Sequence, residues 1–410
     1  MFSALRHRNY RLFFIGQGVS VIGSWMQGTA LSWLVLELAN SPFMLGVSGA
    51  ASSAPMLAFG LFGGALADRA SKRRIIITTQ SCAMILAFLL ALLVASGRAR
   101  LWHIILANAI AGTIMAFDIP ARQAFAVEMV GKADLMNAIA LNSSLFNGAR
   151  IIGPAIAGVI VAWKGPAVCF FANSVSFLAV LVALLMMRIS ESTSRSSNSL
   201  LADITDGLRT VWHNRPTRAV VGSVGVFALF GGSYGVLVPL FARDILHSGA
   251  TGYGLLMSAA GIGALTGALA LTSLGSRASA RRLTSGAMLC FSVAVVVFSL
   301  SQYFWLSFAC LVVAGWGAMS YLGTINTFLQ LTAADEVRGR VVSAYVWVNV
   351  GLAPLGALQI GAVAQRLGAP FAVAAGGLIV GILAVILSRT VPEVRLAGSS
   401  ATNPSDRRLT

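Results

Sequence analysis

The chain is 410 residues long, 57% hydrophobic and only 10% charged, with a mean hydropathy of +0.83. Soluble domains carry about a quarter charged residues, so this composition excludes a cytosolic enzyme, a disordered chain and a nucleic-acid-binding domain. The formal net charge of +16 would suit nucleic acid only as one basic face, whereas the basic residues cluster in alternate loops between apolar stretches.

A bilayer-crossing helix takes roughly 20 apolar residues at ~1.5 Å each. Charged, Gly, Pro and Ser breaks divide the chain into twelve stretches of about that length. Arg6, His7, Arg8 and Arg11 lead into a long helix containing Gln17 and Gln27, not into a short apolar run before a cleavage site, so no removed signal peptide is expected. The first six spans are expected near 11–36, 43–67, 75–96, 101–125, 135–162 and 166–187. The second six are expected near 218–241, 252–273, 283–301, 304–330, 341–364 and 369–388. Residues 1–187 and 217–390 thus read as two six-helix bundles of an all-α membrane protein. Between them, 188–216 reads as a polar cytoplasmic linker with a short amphipathic helix, Leu200, Ile204, Leu208, Val211 and Trp212 opposing Asp203, Asp206 and Arg209. The polar tail, 391–410, is expected to be disordered.

Of the 29 Lys and Arg residues, Arg98, Arg100, Lys164, Arg243 and Arg366 fall on one side and Arg150 inside a span; the rest gather with the N-terminus. Positive charge marks the cytoplasmic side. Both termini are therefore expected in the cytoplasm, in a multi-pass protein of the cell (inner) membrane. Trp33, Trp102, Trp163 and Trp305 then sit at outer helix ends, as an aromatic belt does. The four cysteines, Cys82, Cys169, Cys290 and Cys310, lie in apolar stretches without metal spacing and read as small packing residues. The halves also echo each other: residues 46–74 align without gaps to 254–282, matching Gly46/Gly254, Arg69/Arg277, Ala70/Ala278, Ser71/Ser279 and Arg73/Arg281. Parallel repeats of this kind mark carriers with a site between the halves.

After the second span comes Gly64-Ala-Leu-Ala-Asp68-Arg69-Ala-Ser-Lys72-Arg73-Arg74, a glycine for close helix approach, a carboxylate at the membrane edge and a fixed cationic cluster. Here the chain resembles the major facilitator superfamily, whose loop at this place has the form G-x-L-A-D-R-x-G-R-R; Ser71 stands where that pattern prefers glycine. The second-half copy has Ser276 in place of the acid. The resemblance implies that Gly64, Asp68, Arg69, Lys72 and Arg73 form a gating loop that latches the outward-facing state, the acid meeting a helix end across the halves. A solvated charge run that serves topology only is the plainer alternative.

The fifth span carries Gly148-Ala-Arg150-Ile-Ile-Gly153-Pro154-Ala-Ile-Ala-Gly158, where an internal proline frees a carbonyl and bends the helix. Gly153, Pro154 and Gly158 are similar to the Gly-Pro element of antiporters and exporters in the superfamily; a packing kink is the alternative. Ala116-Phe-Asp118-Ile-Pro120-Ala-Arg122-Gln-Ala-Phe125, the run 137–147 and the opening 5–14 narrow the resemblance to the branch of siderophore and macrolide/multidrug exporters, over residues 1–390. That branch implies twelve helices and proton-linked export.

Charges at membrane depth are costly and ask for a reason. Asp118 and Arg122 are an i,i+4 pair on one face with Asn108, Ala111 and Met115. Asp118 lies ~25 Å from the outer edge at ~1.5 Å per residue. It therefore joins the gate with Arg69 or Arg73, carries a proton, or packs against Arg122. Arg150 is the deepest formal charge and needs a cavity, a partner acid or an anionic substrate group, unless its role is structural. Glu37 is its leading partner and, with Asp118, a protonatable candidate, if it is not simply exposed at a helix end. Gln17, Ser20, Ser24 and Gln27 form a polar stripe that lines the central path or bonds a neighbouring helix. Asn142, Tyr234 and Asn349 are further cavity candidates, with Asn326 and Tyr345 weaker. With Phe227, Phe230, Met257 and Trp347, the path looks apolar and aromatic, suited to amphiphiles more than sugars.

Enzyme readings fail on the residues themselves. The only lysines are Lys72, Lys132 and Lys164, none in a phosphate-binding loop, and Gly-x-Ser-x-Gly and His-Glu-x-x-His are absent. The expected function is a secondary carrier that exports small amphiphilic molecules by alternating access in exchange for protons. The expected partners are a small-molecule substrate, protons and the lipid bilayer, with no cofactor, metal or nucleic acid, and the chain is expected as a monomer. An importer or lysolipid flippase on the same fold is the alternative, and a non-transporting sensor or channel a third reading.

Overall fold

The computed structural model describes residues 3–131, 133–187, 215–274, 279–333 and 337–390. The expected linker helix and disordered tail lie outside these residues. Among the described residues, twelve helices are long and apolar enough to cross a membrane. The first six are α1 (Arg8–Ala39), α2 (Pro42–Arg69), α3 (Lys72–Ala95), α4 (Leu101–Val130), α5 (Leu135–Lys164) and α6 (Pro166–Met186). The second six are α7 (Thr217–Ile245), α8 (Gly249–Leu274), α9 (Ala280–Leu300), α10 (Phe304–Thr332), α11 (Arg338–Leu367) and α12 (Ala369–Thr390). Several run past the expected apolar stretches, α1 beginning at Arg8 and α4 ending at Val130.

Local chemistry sets the helix ends. Ser71 and Ser279, matched in the sequence repeat, both cap a helix: Ser71 Oγ accepts from the Arg74 N–H at 3.3 Å and Ser279 Oγ from that of Arg282 at 3.4 Å. Serine thus replaces the glycine of the family loop with a side-chain acceptor for an otherwise orphaned donor. At the opposite end Asn40 ends α1 in the left-handed region, φ 44°, a conformation asparagine tolerates because its short amide bonds locally.

One span departs from regular helix. In α7 an α-helical segment to Val226 gives way to a π turn at Phe227–Gly231, a 3-10 stretch at Gly232–Leu237, a single α turn and a second π turn at Phe241–Ile245. Gly231, Gly232 and Gly235 weaken the helix, and Pro239 removes one donor from its ladder. The sequence reading placed an ordinary helix over 218–241; the structure keeps the span and changes its winding.

The helices form two six-helix bundles. In the first, α2 packs on α4, α1 on α5 and α6, and α3 on α6; in the second, α8 and α9 pack on α10 and α9 on α12. Two seams join the halves, α2 with α11 and α5 with α8. Glycine makes both possible. A side chain at Gly46 would collide with the Ala357 carbonyl, and one at Gly254 with that of Pro154. Both seams lie toward the helix ends farthest from the chain's start (the far end). One apolar cluster runs through both halves, including Trp33, Leu36, Phe241 and Tyr253. A second, around Tyr10, Phe13, Ile76 and Phe125, belongs entirely to the near end of the first half.

Two expectations need correction. Trp33 is not a belt residue: it is buried, stacks on Tyr253 at 6.0 Å and donates its ring N–H to Glu37 at 2.6 Å. Trp102, Trp163 and Trp305 are exposed. Of the cysteines, Cys169 and Cys310 are buried, but Cys82 and Cys290 are exposed rather than packed inside.

Candidate functional site

A cavity of about 220 Å³ opens between α7, α8, α9 and α10, and its one charged lining residue is Arg150 from α5 of the other half. The unwound stretch of α7 forms one wall, with Phe227, Gly232, Tyr234 and Gly235 lining it. An irregular backbone at membrane depth is tolerated where it lines a cavity. Tyr234 packs edge-on to Phe291 at 5.8 Å, and Phe227 stands 5.0 Å from both Phe291 and Tyr321. Tyr321 in turn shares a 2.7 Å hydrogen bond with Ser223, which fixes the aromatic floor. The rest of the lining is apolar, Met257 and Met319 among it.

Arg150 reaches this cavity because of the Gly-Pro element. Pro154 has no N–H, so the Arg150 carbonyl loses its helical donor. Around that point α8 comes close, with Ser258 Oγ donating to the Ile151 carbonyl at 2.6 Å and Gly261 facing the Arg150 carbonyl. Gly153 admits Trp25 and α1, and Gly158 admits α8 at Ala250 and Gly254. The Arg150 guanidinium lies 5.8 Å from the Trp25 ring and within electrostatic reach of Tyr234. Among the described residues it forms no ion pair. The expected pairing with Glu37 is not made: Glu37 is exposed, holds Trp33 and lies near Arg243.

Of the other cavity candidates, Gln27 accepts from Asn173 Nδ2 at 2.8 Å, an interhelical bond between α1 and α6. Gln17 is buried with its carbonyl oxygen unpartnered among the described residues. Asn142 is exposed on α5 and Asn349 half-buried on α11, and neither lines the cavity around Arg150. Asn326 accepts from Gln330, and the Tyr345 hydroxyl donates to the Leu322 carbonyl. Met257 and Phe227 belong to the cavity wall; Phe230 and Trp347 do not.

The near end of the first half carries the charge networks. Asp118, 1% exposed, accepts from Thr79 Oγ1 at 2.6 Å and from Gln80 Nε2 at 3.0 Å. Its second oxygen lies 2.5 Å from Arg122 Nε. That N–H is not aimed at the oxygen, so the contact is electrostatic rather than a hydrogen bond. Neither Arg69 nor Arg73 reaches Asp118. Arg73 instead donates to the carbonyls of Leu184 and Leu185 on α6, and buried Lys72 pairs with Glu128 on α4 at 3.0 Å. Asp68 and Arg69 are exposed at the end of α2, beside half-buried Gly64. Nearby, His7 Nε2 sits 2.8 Å from Asp134 Oδ2 and ties the start of the chain to α5. Hydrogen bonds from Ser3 and His7 hold the Asp134 carboxyl below its ordinary value.

At the far end, Arg243 clamps the halves together. It donates to the Leu36 carbonyl at 3.2 Å and to Asn40 Oδ1, while Asp244 holds its Nε at 2.6 Å. Ser41 Oγ adds a 2.7 Å bond to Gln365 across the other seam. Sequence reasoning counted Arg243 only as a loop charge. It also passed over Thr79 and Gln80, although a polar pair in an otherwise apolar span signals a buried partner.

Twelve spanning helices in two repeated bundles, with a polar-tipped cavity at their junction, define a multi-pass membrane carrier rather than an enzyme. Residues 1–409 match the transmembrane secretion effector family, and the chain belongs to that family of the major facilitator superfamily. The staphyloferrin A transporter of Staphylococcus aureus is 26% identical over 364 residues, covering 87% of this chain and 90% of its own. The multidrug efflux pump Tap of Mycolicibacterium fortuitum is 27% identical over 389 residues, covering 91% and 92%. The enterobactin exporter EntS of Escherichia coli is 24% identical over 404 residues, covering 96% of each. Among solved structures, a bacterial homolog of the human lysosomal transporter Spinster, in an inward-facing and unoccupied conformation, superposes with a TM-score of 0.74 at 15% identity, covering 94% of this chain and 97% of that one. A D-xylose-proton symporter superposes at 0.68 and 14% identity, covering 95% and 97%.

Proposed function

We propose that the protein exports small amphiphilic molecules, of the drug or siderophore type that its relatives carry, by alternating access coupled to protons. The observation that carries this reading is the cavity at the junction of two halves that touch at the far end, while Asp68 and Arg69 at the near end stand exposed. With both termini in the cytoplasm of a cell (inner) membrane, as the arginine distribution favours, this is the inward-open arrangement, ready to load from inside. Closing the near end brings Asp68 and Arg69 against the second half. Lys72 and Arg73, already anchored to α4 and α6, are the fixed base of that latch, and the Arg243 clamp is what must release outside.

The acids available for coupling are Glu37 and Asp118. Asp118 contacts the always-charged Arg122 guanidinium and accepts from Thr79 and Gln80, which gives it a positioning role in the first half. Glu37 lies beside the outer clamp, where its protonation would weaken the hold of Arg243. The chain works as a monomer, since each half completes the other's site.

Cells with and without the gene, loaded with a fluorescent amphiphile, test the reading. Lower accumulation in expressing cells, abolished by a protonophore and by Asp68→Asn with membrane insertion intact, is the expected result. Higher accumulation would mean import or lipid flipping; unsaturable currents with no counterflow in proteoliposomes would mean a channel.

A further inference from the structure

Resting on the transport reading, we propose that the cavity selects organic anions, an anionic head group on Arg150 and Tyr234 with an aromatic body between Phe227 and Phe291. Three observations carry it. First, Arg150 is the only charged side chain among the sixteen that line the cavity, and no carboxylate accompanies it. A guanidinium cannot shed its proton, so at membrane depth it stands as a permanent cation, 5.8 Å from the Trp25 ring. Such a charge calls for a counterion, and the described protein residues supply none. Second, the Tyr234 hydroxyl lies within electrostatic reach of that cation and has no hydrogen-bond partner among the described residues. A cation and a free O–H donor therefore face the same space, a pair that suits an oxyanion with two acceptor sites. Third, apart from Gly232, Gly235 and Gly315, the other side chains on the wall are aromatic, thioether or aliphatic, which accepts a flat apolar body and offers a sugar few side-chain partners.

The same geometry sets size and sign. Drug-sized sites usually measure ~300–1,000 Å³, and this cavity is about 220 Å³. It therefore seats one ring and its anionic substituent, with any larger remainder of the molecule extending toward the open near end. A cationic amphiphile meets the Arg150 charge in a low-dielectric space with no acid to offset it, and is rejected.

Purified full-length protein in detergent tests this with matched probes: 1-naphthoate, its uncharged amide, and 1-naphthylmethylammonium. Titration calorimetry should give naphthoate at least about tenfold tighter than the amide, as a charge-assisted hydrogen bond implies, with the ammonium weakest. Arg150→Gln should erase that preference, Arg150→Lys should keep part of it, and Tyr234→Phe should reduce it several-fold. Melting temperatures confirm that each variant is folded. Equal affinity for acid and amide, a preference that survives Arg150→Gln, tight binding of the ammonium, or no naphthoate binding at millimolar concentration would each overturn the proposal. Because binding is read without transport, anion preference without efflux in cells would instead sink the export reading, and efflux without anion preference would sink this one.

Discussion

In the first half Gly46 lets α2 press against α11; in the second Gly254 lets α8 press against α5, and the two serines that cap α3 and α9 occupy matched positions. Even the outward-facing thiols, Cys82 and Cys290, fall in register. What the halves bury is different. Both buried charged side chains among the described residues, Lys72 and Asp118, belong to the first half. The second half fills its interior with Phe227, Phe291, Phe298 and Tyr321, and opens a cavity beside an unwound α7. Close helix approach tolerates only small residues, so it preserves the repeat; polar side chains tolerate divergence once each finds a partner. The division that results puts charge networks on one side and a cavity wall on the other.

The comparison breaks most visibly at Asp118. Asp118→Asn leaves the half-buried Arg122 without its carboxylate, and should cost up to the about 3–5 kcal/mol of breaking a buried pair. A lowered unfolding midpoint, largely restored by adding Arg122→Gln, is the expected outcome. A stable single variant would show that the pair is solvated rather than buried. No one charge removal in the second half should match it.

The seams come next, and here the halves should behave alike. Gly46→Leu and Gly254→Leu each force α-helices apart, an overpacking cost of roughly 1–3 kcal/mol, so the far-end-closed state should fall about 5- to 150-fold in relative population. Labelling of an engineered thiol at 36, a position buried in the closed arrangement, measures it. If only one variant responds, the seams are not equivalent.

Ser71→Ala and Ser279→Ala sharpen the match further. Each removes one helix cap, worth about 1 kcal/mol, while Ser71→Gly should cost only a few tenths. Paired melting curves with equal shifts would place both caps on the same footing. A null effect at Ser279 would mark the second copy as vestigial.

The smallest effect lies at the near end. Because its folded carboxyl is held below the ordinary value of 3.8, Asp134 stabilises the fold above that pH and the contribution fades as pH falls below it. Asp134→Asn should therefore lower stability slightly at neutral pH, flatten the acid limb of the profile and converge on the parent protein at the lowest pH. An unchanged acid limb would mean that His7 and Ser3 do not hold the carboxylate in solution.

Much of this protein was legible without coordinates. Twelve apolar stretches long enough for a bilayer allow no other fold class, and the loop at Gly64–Arg74 pointed to the superfamily because its charge pattern is local. Gly46/Gly254 and Ser71/Ser279 were readable as a repeat, though not as a seam and a cap. Arg150 announced itself as a charge with no escape to either interface.

The pairing of Asp118 with Arg122 within one helix was legible; what escaped was partners between helices. The acid expected for Arg150 was Glu37, which lies elsewhere; the partners expected for Asp118 were Arg69 or Arg73, and Thr79 and Gln80 took that place. Hydropathy and spacing report what a helix must do with its own surface, because burial is averaged along the segment. Which side chain on one helix meets which on another depends on crossing points set by glycines and prolines of both. The winding of α7, the reach of Arg150 into the opposite half and the far-end clamp at Arg243 all follow from those crossings, and only the folded bundle decides them.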